Sequence, residues 1–177
     1  MERVAHVPQK DRRENDVEHS YTLAMLAWYL ADSLKLSLNK DKILRYALAH
    51  DLVEVYAGDT YAFTDDESER NSKQKREDEA RLRIKKEFSE LGDLHDTIER
   101  YETRDEEESR FVYAVDKLIP MITNYIQDGR TWKEMNLPFD RAVSQKRERI
   151  GAEPYVRELL EQLIVLIEKD RSKYFNR

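Results

Sequence analysis

Residues 47 to 60 read ALAHDLVEVYAGDT, and within them His50, Asp51 and Glu54 stand among Ala, Leu and Val. The helix that carries them starts near Asn39, runs through Ile43, Leu44, Ala47 and Leu48, and is expected to stop before Gly58, the residue type favoured at a left-handed helix end. His50 stacks over Ala47 and Ile43, Asp51 over Ala47 and Leu48, and Glu54 lies one turn beyond both. An imidazole and two carboxylates are thus gathered where core side chains belong. Burying a carboxylate without a partner is costly, so the stretch needs water or a counter-charge.

Two other helices repeat the anomaly. A first helix is expected from about Val17 to Leu34, capped by Asn15 or Asp16, with Leu23, Leu26 and Leu30 on its inner face. His19 shares that face. In RFVYAVDKLI, Val112, Val115 and Ile119 place Asp116 toward the core. Lys117 is its neighbour in sequence, but adjacent helical residues point about 100° apart, so a shared internal partner is the better expectation.

One divalent cation would neutralise these carboxylates and accept both imidazoles. His19, His50, Asp51 and Asp116 offer mixed nitrogen and oxygen ligation, which suits manganese, cobalt, zinc or iron and leaves magnesium open. The other histidines, His6 and His95, read as surface residues, so a single metal ion is expected.

Composition narrows the setting. The chain has 177 residues, enough for one domain with a real core. Its net charge is −6 with both signs interspersed, which argues against nucleic-acid polymers and membrane surfaces as partners while allowing a local phosphate pocket. There is no cysteine, so disulfides and thiolate-held zinc are excluded. No apolar run has the length of a membrane span and MERVAHVPQK lacks a signal-peptide core, so a cytoplasmic location is expected.

The rest of the chain also reads as helix, giving an all-α, single-domain bundle over 1–177, with a core of about 15–130 and C-terminal helices over about 138–173. A long charged helix is expected over roughly Glu67 to Glu90 and ended by Gly92, followed by a short one over Leu94 to Tyr101. A longer helix around Asp116 should close at Gly129 and kink or break at Pro120, and two more should cover about Phe139 to Ile150 and Pro154 to Lys173. Trp132, in DGRTWKEMN, is expected to fill the core rather than stack on a ligand.

His19, the HD pair at His50 and Asp51, and Asp116 on a later helix together resemble the HD superfamily of metal-dependent phosphohydrolases. RRENDVEHS and HDLVEVYAGDT resemble, more narrowly, the bacterial 5'-deoxynucleotidase branch, where EHS and HD-x-x-E-x-x-x-GD occur together. The resemblance implies hydrolysis of deoxynucleoside 5'-monophosphates to deoxynucleoside and phosphate with one bound divalent metal. It implies that Glu54 activates water, that Asp59 protonates the leaving oxygen or orients substrate, and that Arg12 grips the phosphate, with Arg13 beside it. Only MERVAHVPQKD precedes Arg12, whereas the branch carries a helix and an aromatic or basic residue there, so either this sequence begins late or substrate selection differs, and a missing first helix would favour a homodimer or leave an exposed apolar patch. The alternatives are hydrolysis of nucleoside triphosphates by the same ligand set and a non-catalytic, metal- or nucleotide-binding scaffold. A guanosine tetraphosphate hydrolase would carry an ED pair where Glu54 is followed by Val55.

Overall fold

The side chain of Asn15 accepts a hydrogen bond from the Glu18 amide while the Glu18 carboxylate reaches back to the Asn15 amide, and this reciprocal cap starts α1 (Asp16–Ser33). The computed structural model describes residues 2–8, 10–58, 67–151 and 153–176. Two short strands precede the cap, β1 (Glu2–His6) and β2 (Arg13–Asn15), paired antiparallel with Glu2 opposite Asn15 and His6 opposite Arg13. This hairpin is an addition to the all-helical expectation: three to five residues give too short an alternation to be read as strand. Everything else ordered among the described residues is helix.

The next helix, α2 (Lys40–Ala49), is capped by Asn39, whose side chain accepts from the Asp41 and Lys42 amides. It ends earlier than its apolar pattern implies. At His50 the chain tightens into turns closed by short-range bonds, Leu52 amide to Ala49 carbonyl and Glu54 amide to Asp51 carbonyl, before α3 (Glu54–Ala57). Gly58 follows with φ +80°, the positive value anticipated for it.

After residues 59–66 come α4 (Glu67–Glu87) and α5 (Gly92–Thr103). Gly92 therefore opens a helix instead of ending one, and Arg104, with φ +56°, closes α5. The α6 helix (Glu107–Ile126) runs through Pro120 without the expected break. At its end Gly129 takes φ +74°, and a Cβ there would lie 1.8 Å from the Tyr174 carbonyl oxygen, so both backbone angle and close approach require glycine. Then follow α7 (Arg130–Glu134), α8 (Phe139–Ile150), α9 (Pro154–Glu168) and α10 (Arg171–Tyr174). The last expected helix is thus divided at Lys169–Asp170.

The main core forms where α6 packs against α1, α2, α8 and α9. Leu23, Ile43, Val112, Val115, Leu118, Met121 and Leu160 are fully buried, each worth about 1.5–3 kcal/mol by area removed from water. Trp132 belongs to this core and stacks on Phe175 at 4.6 Å and 13°, as expected of a packing aromatic. A separate small core holds Ala49, Val53, Ala57, Ala80, Ile84 and Ile98 where α3, α4 and α5 meet.

Candidate metal centre

Helices α1 and α6 and the turn that follows α2 bring the anomalous residues together. His19 on α1 and Asp116 on α6 are 97 positions apart, yet His19 Nε2 lies 3.0 Å from Asp116 Oδ1. His50 Nε2 lies 2.9 Å from Asp51 Oδ2 and 4.0 Å from Asp116 Oδ1, and the two imidazole centroids are 5.3 Å apart. His19 and Asp116 are 1% and 3% exposed, so their charges face protein, not solvent.

The donor set fits a cation. His50 Nδ1 donates to the Ala47 carbonyl at 2.9 Å, which fixes the proton on that nitrogen and leaves Nε2 as a lone pair. That lone pair faces the Asp51 carboxylate, an acceptor facing an acceptor, and makes no hydrogen bond among the described residues. A metal ion placed among His19, His50 and Asp51, whose candidate ligand atoms lie within 4.8 Å of one another, would resolve the conflict. Asp116 closes the group through its contacts to both histidines. Tyr101 holds the His50 ring edge-on at 5.9 Å from the other side.

Electrostatics at this pole are strongly skewed. Burial opposes charge on His19, but Asp116 and Glu14 overcome it and raise the imidazole to about 9. Burial likewise works against the Asp116 anion, yet Lys117 and the histidines hold it well below the usual carboxylate range. Lys117 bends back along α6 to bond Asp116 Oδ2, so the sequence neighbour does pair, alongside the internal partner His19.

Glu54 lies at the start of α3 beside this group, 3.9 Å from the Arg3 guanidinium. Arg3 also bonds Asp51 and lies 3.6 Å from Asp16 and 4.0 Å from Glu14. It is one of three residues that sequence reasoning missed, because the short pairing of β1 with β2 carries it there. Glu14, 3.3 Å from His19 Nδ1, was missed for the same reason. Lys146 on α8, 3% exposed, is a third. The signal available for it was its place among Ala142, Val143 and Ile150 on the buried face of a helix.

The structure does not bring Arg12 to the cluster. Its guanidinium is 54% exposed and bonds Glu18, the capping residue of α1. Asp59 lies outside the described residues. His6 is buried, not a surface residue, with Nδ1 3.7 Å from Glu134, and His95 Nε2 donates to the Phe88 carbonyl at 2.8 Å. A cavity of about 130 Å³ opens beside the cluster, lined by His19, Asp51 and Glu54 together with Arg3, Lys117 and Lys146. The arrangement can hold a cation among carboxylates and receive an anion against the adjoining positive side chains.

Comparison with known proteins adds three findings. The family model described as HD domain matches residues 1–157. The chain is 33% identical over 109 residues to a 5'-deoxynucleotidase HDDC2 of Mus musculus, covering 60% of this chain and 52% of that one, and 33% identical over 108 residues to its Homo sapiens counterpart, covering 60% and 50%. It spans about half the length of these curated relatives. A solved structure described as a predicted metal-dependent phosphohydrolase from Magnetospirillum magnetotacticum superposes with a TM-score of 0.76 at 26% identity, over 100% of this chain and 88% of that one.

Proposed function

Because the chain belongs to the HD-domain family, we propose that it is a metal-dependent phosphohydrolase that cleaves deoxynucleoside 5'-monophosphates to deoxynucleoside and phosphate. The observation that carries this reading is the convergence of His19 on α1, Asp116 on α6, and His50 and Asp51 in the turn after α2, beside Glu54 and a cavity lined by Arg3, Lys117 and Lys146. These four residues would hold one divalent ion, manganese, cobalt, zinc, iron or magnesium. When bound, it would supply charge stabilisation at the phosphate and a more acidic water.

The chain's own residues supply the rest. Glu54 takes a proton from the attacking water, whose oxygen forms a bond to phosphorus as the bond to the 5'-oxygen breaks. Asp59 delivers a proton to that departing oxygen. Arg3, already set among the carboxylates, receives the phosphate oxygens in place of Arg12, which bonds Glu18 outside the cluster. Arg3→Ala is expected to raise KM about tenfold or more with a smaller change in kcat, and an unchanged KM would remove Arg3 from substrate binding.

The 33% identity to 5'-deoxynucleotidases favours monophosphates over triphosphates. A phosphate-release screen across deoxynucleoside mono- and triphosphates with manganese, cobalt, zinc and magnesium separates them. Release from triphosphates alone would transfer the reading to that class. Metal binding without release from any substrate would support the scaffold reading.

The same proposal includes a cytoplasmic homodimer. No helix of the described residues is long and apolar enough to cross a membrane. Val17, Tyr21, Met25 and Trp28 recur at helical spacing on the exposed side of α1, at 78%, 65%, 45% and 44% exposure, a face suited to pairing with its own copy. Trp28→Glu should convert a dimer to a monomer in light scattering. A wild-type monomer at tens of micromolar would end that part.

A further inference from the structure

Between the start of α6, the end of α8 and the start of α9 lies a cleft of about 570 Å³ that the proposed chemistry does not use. Its basic side chains are Arg104, Arg110 and Arg149, and its apolar wall includes Leu38, Phe111 and Pro154. The volume falls in the range of small-molecule sites. It exceeds that of the metal-side cavity.

Three features point to one ligand chemistry. Arg149 is half-buried, makes no hydrogen bond or ion pair among the described residues, and lines this cleft and the metal-side cavity alike. A guanidinium half removed from water and unpaired is a ready receiver for phosphate or carboxylate oxygens. Arg110 donates one nitrogen to the Arg104 and Asp105 carbonyls, which anchors its guanidinium at the rim.

The second feature is aromatic. Tyr155 at the start of α9 is 47% exposed, so its ring offers a free face for a planar group. Tyr113 has its faces engaged by Arg104 at 4.5 Å and Lys117 at 4.9 Å, which steadies the floor and leaves Tyr155 as the stacking surface.

The third is acidic. Glu153 is committed to capping α9 through the Val156 amide at 2.6 Å, whereas Glu107 has no hydrogen bond or ion pair among the described residues. A free carboxylate beside guanidinium groups suits a ligand that carries an amino donor as well as an anion. We propose that this cleft is a second binding site for a nucleotide-class ligand, with its phosphate on Arg149 and Arg110, its base on Tyr155 and an exocyclic amine at Glu107. The site stands on its own geometry, and only the choice of a deoxynucleotide probe rests on the proposed hydrolase reading.

The test is a calorimetric titration of the manganese-loaded full chain with the non-hydrolysable phosphonate analogue of deoxyadenosine 5'-monophosphate. Two binding events are expected. Asp51→Asn should remove one of them, and Arg110→Gln or Tyr155→Ala should each weaken the other at least tenfold while leaving phosphate release unchanged. Both replaced side chains are at the surface, and the near-ultraviolet dichroism of buried Trp132 reports whether each variant is folded. A single event abolished by Asp51→Asn, or a second event indifferent to both cleft variants, would overturn the proposal. A Tyr155-dependent event without an Asp51-dependent one would uphold the cleft and count against the hydrolase reading.

Discussion

The two hydrophobic cores carry different halves of the proposed chemistry. The candidate metal ligands His19 and Asp116 project from α1 and α6, whose inner faces are locked by Leu23, Val112, Val115 and Leu118, all 2% exposed or less. Glu54 begins α3, which rests on the small core of Val53, Ala57, Ala80, Ile84 and Ile98. His50 and Asp51 form the seam between them, at the point where α2 gives way to tight turns. If His19 and Asp116, anchored in the larger core, hold a metal and Glu54, mounted on the smaller one, transfers the proton as proposed, metal affinity and turnover would be separable. The larger core resists local opening, and the smaller has few apolar contacts to hold it.

The largest effect expected from this division is at Asp116. Asp116→Ala should cost about 10³-fold or more in turnover, ~4 kcal/mol of barrier, and weaken metal binding in equilibrium dialysis. Retention of full metal content and activity would break the comparison at its strong end. Glu54→Ala is expected to lower kcat about 10²- to 10⁴-fold while metal content stays at the wild-type level. If the metal were lost with Glu54, the two halves would be one.

A packing change tests the other side. Ile84 is 2% exposed in the small core, and Ile84→Ala should destabilise by about 2–5 kcal/mol while metal affinity is retained, read by denaturation with and without manganese. A parallel loss of metal affinity would show the cores to be a single cooperative unit.

The smallest effect is one of pH. Burial and the nearby Lys117 push the Lys146 ammonium down to about 7. The unfolded chain keeps that proton up to the ordinary lysine range and the folded chain releases it near 7, so stability rises with pH across the window between them. Lys146→Met should therefore raise the melting temperature by about 2–4 °C at pH 6, with the gain shrinking toward pH 10. Equal gains at both ends would exclude Lys146 as the source.

Helical periodicity was enough to place His19 and Asp116 on inner faces, because an 18- or 20-residue helix repeats its signal several times, whereas His50 and Asp51 lie just past the end of the ten-residue α2. The break after Ala49 was hidden, since tertiary packing of an apolar stretch does not reveal whether its backbone bonds span three residues or four. Arg3 and Glu14 were illegible for a related reason: their positions depend on a hairpin too short to leave a pattern. The outward turn of Arg12 had a visible signal, because Asn15 followed three residues later by Glu18 is a capping box, and the capping glutamate is the carboxylate that Arg12 binds. Gly92 shows the limit of reading a glycine by type: it sits at a helix start with no positive φ.

Gly129 ties α10 to the metal-side cavity. With no side chain there, the Tyr174 backbone lies directly against the α6–α7 corner, and Phe175 is delivered onto Trp132, a wall of the metal-side cavity. The last turn of the polypeptide is thus a buttress for a chamber whose ligands lie scores of residues upstream. Trimming the chain before Arg171 should leave every candidate ligand in place and yet loosen the room in which a substrate must fit.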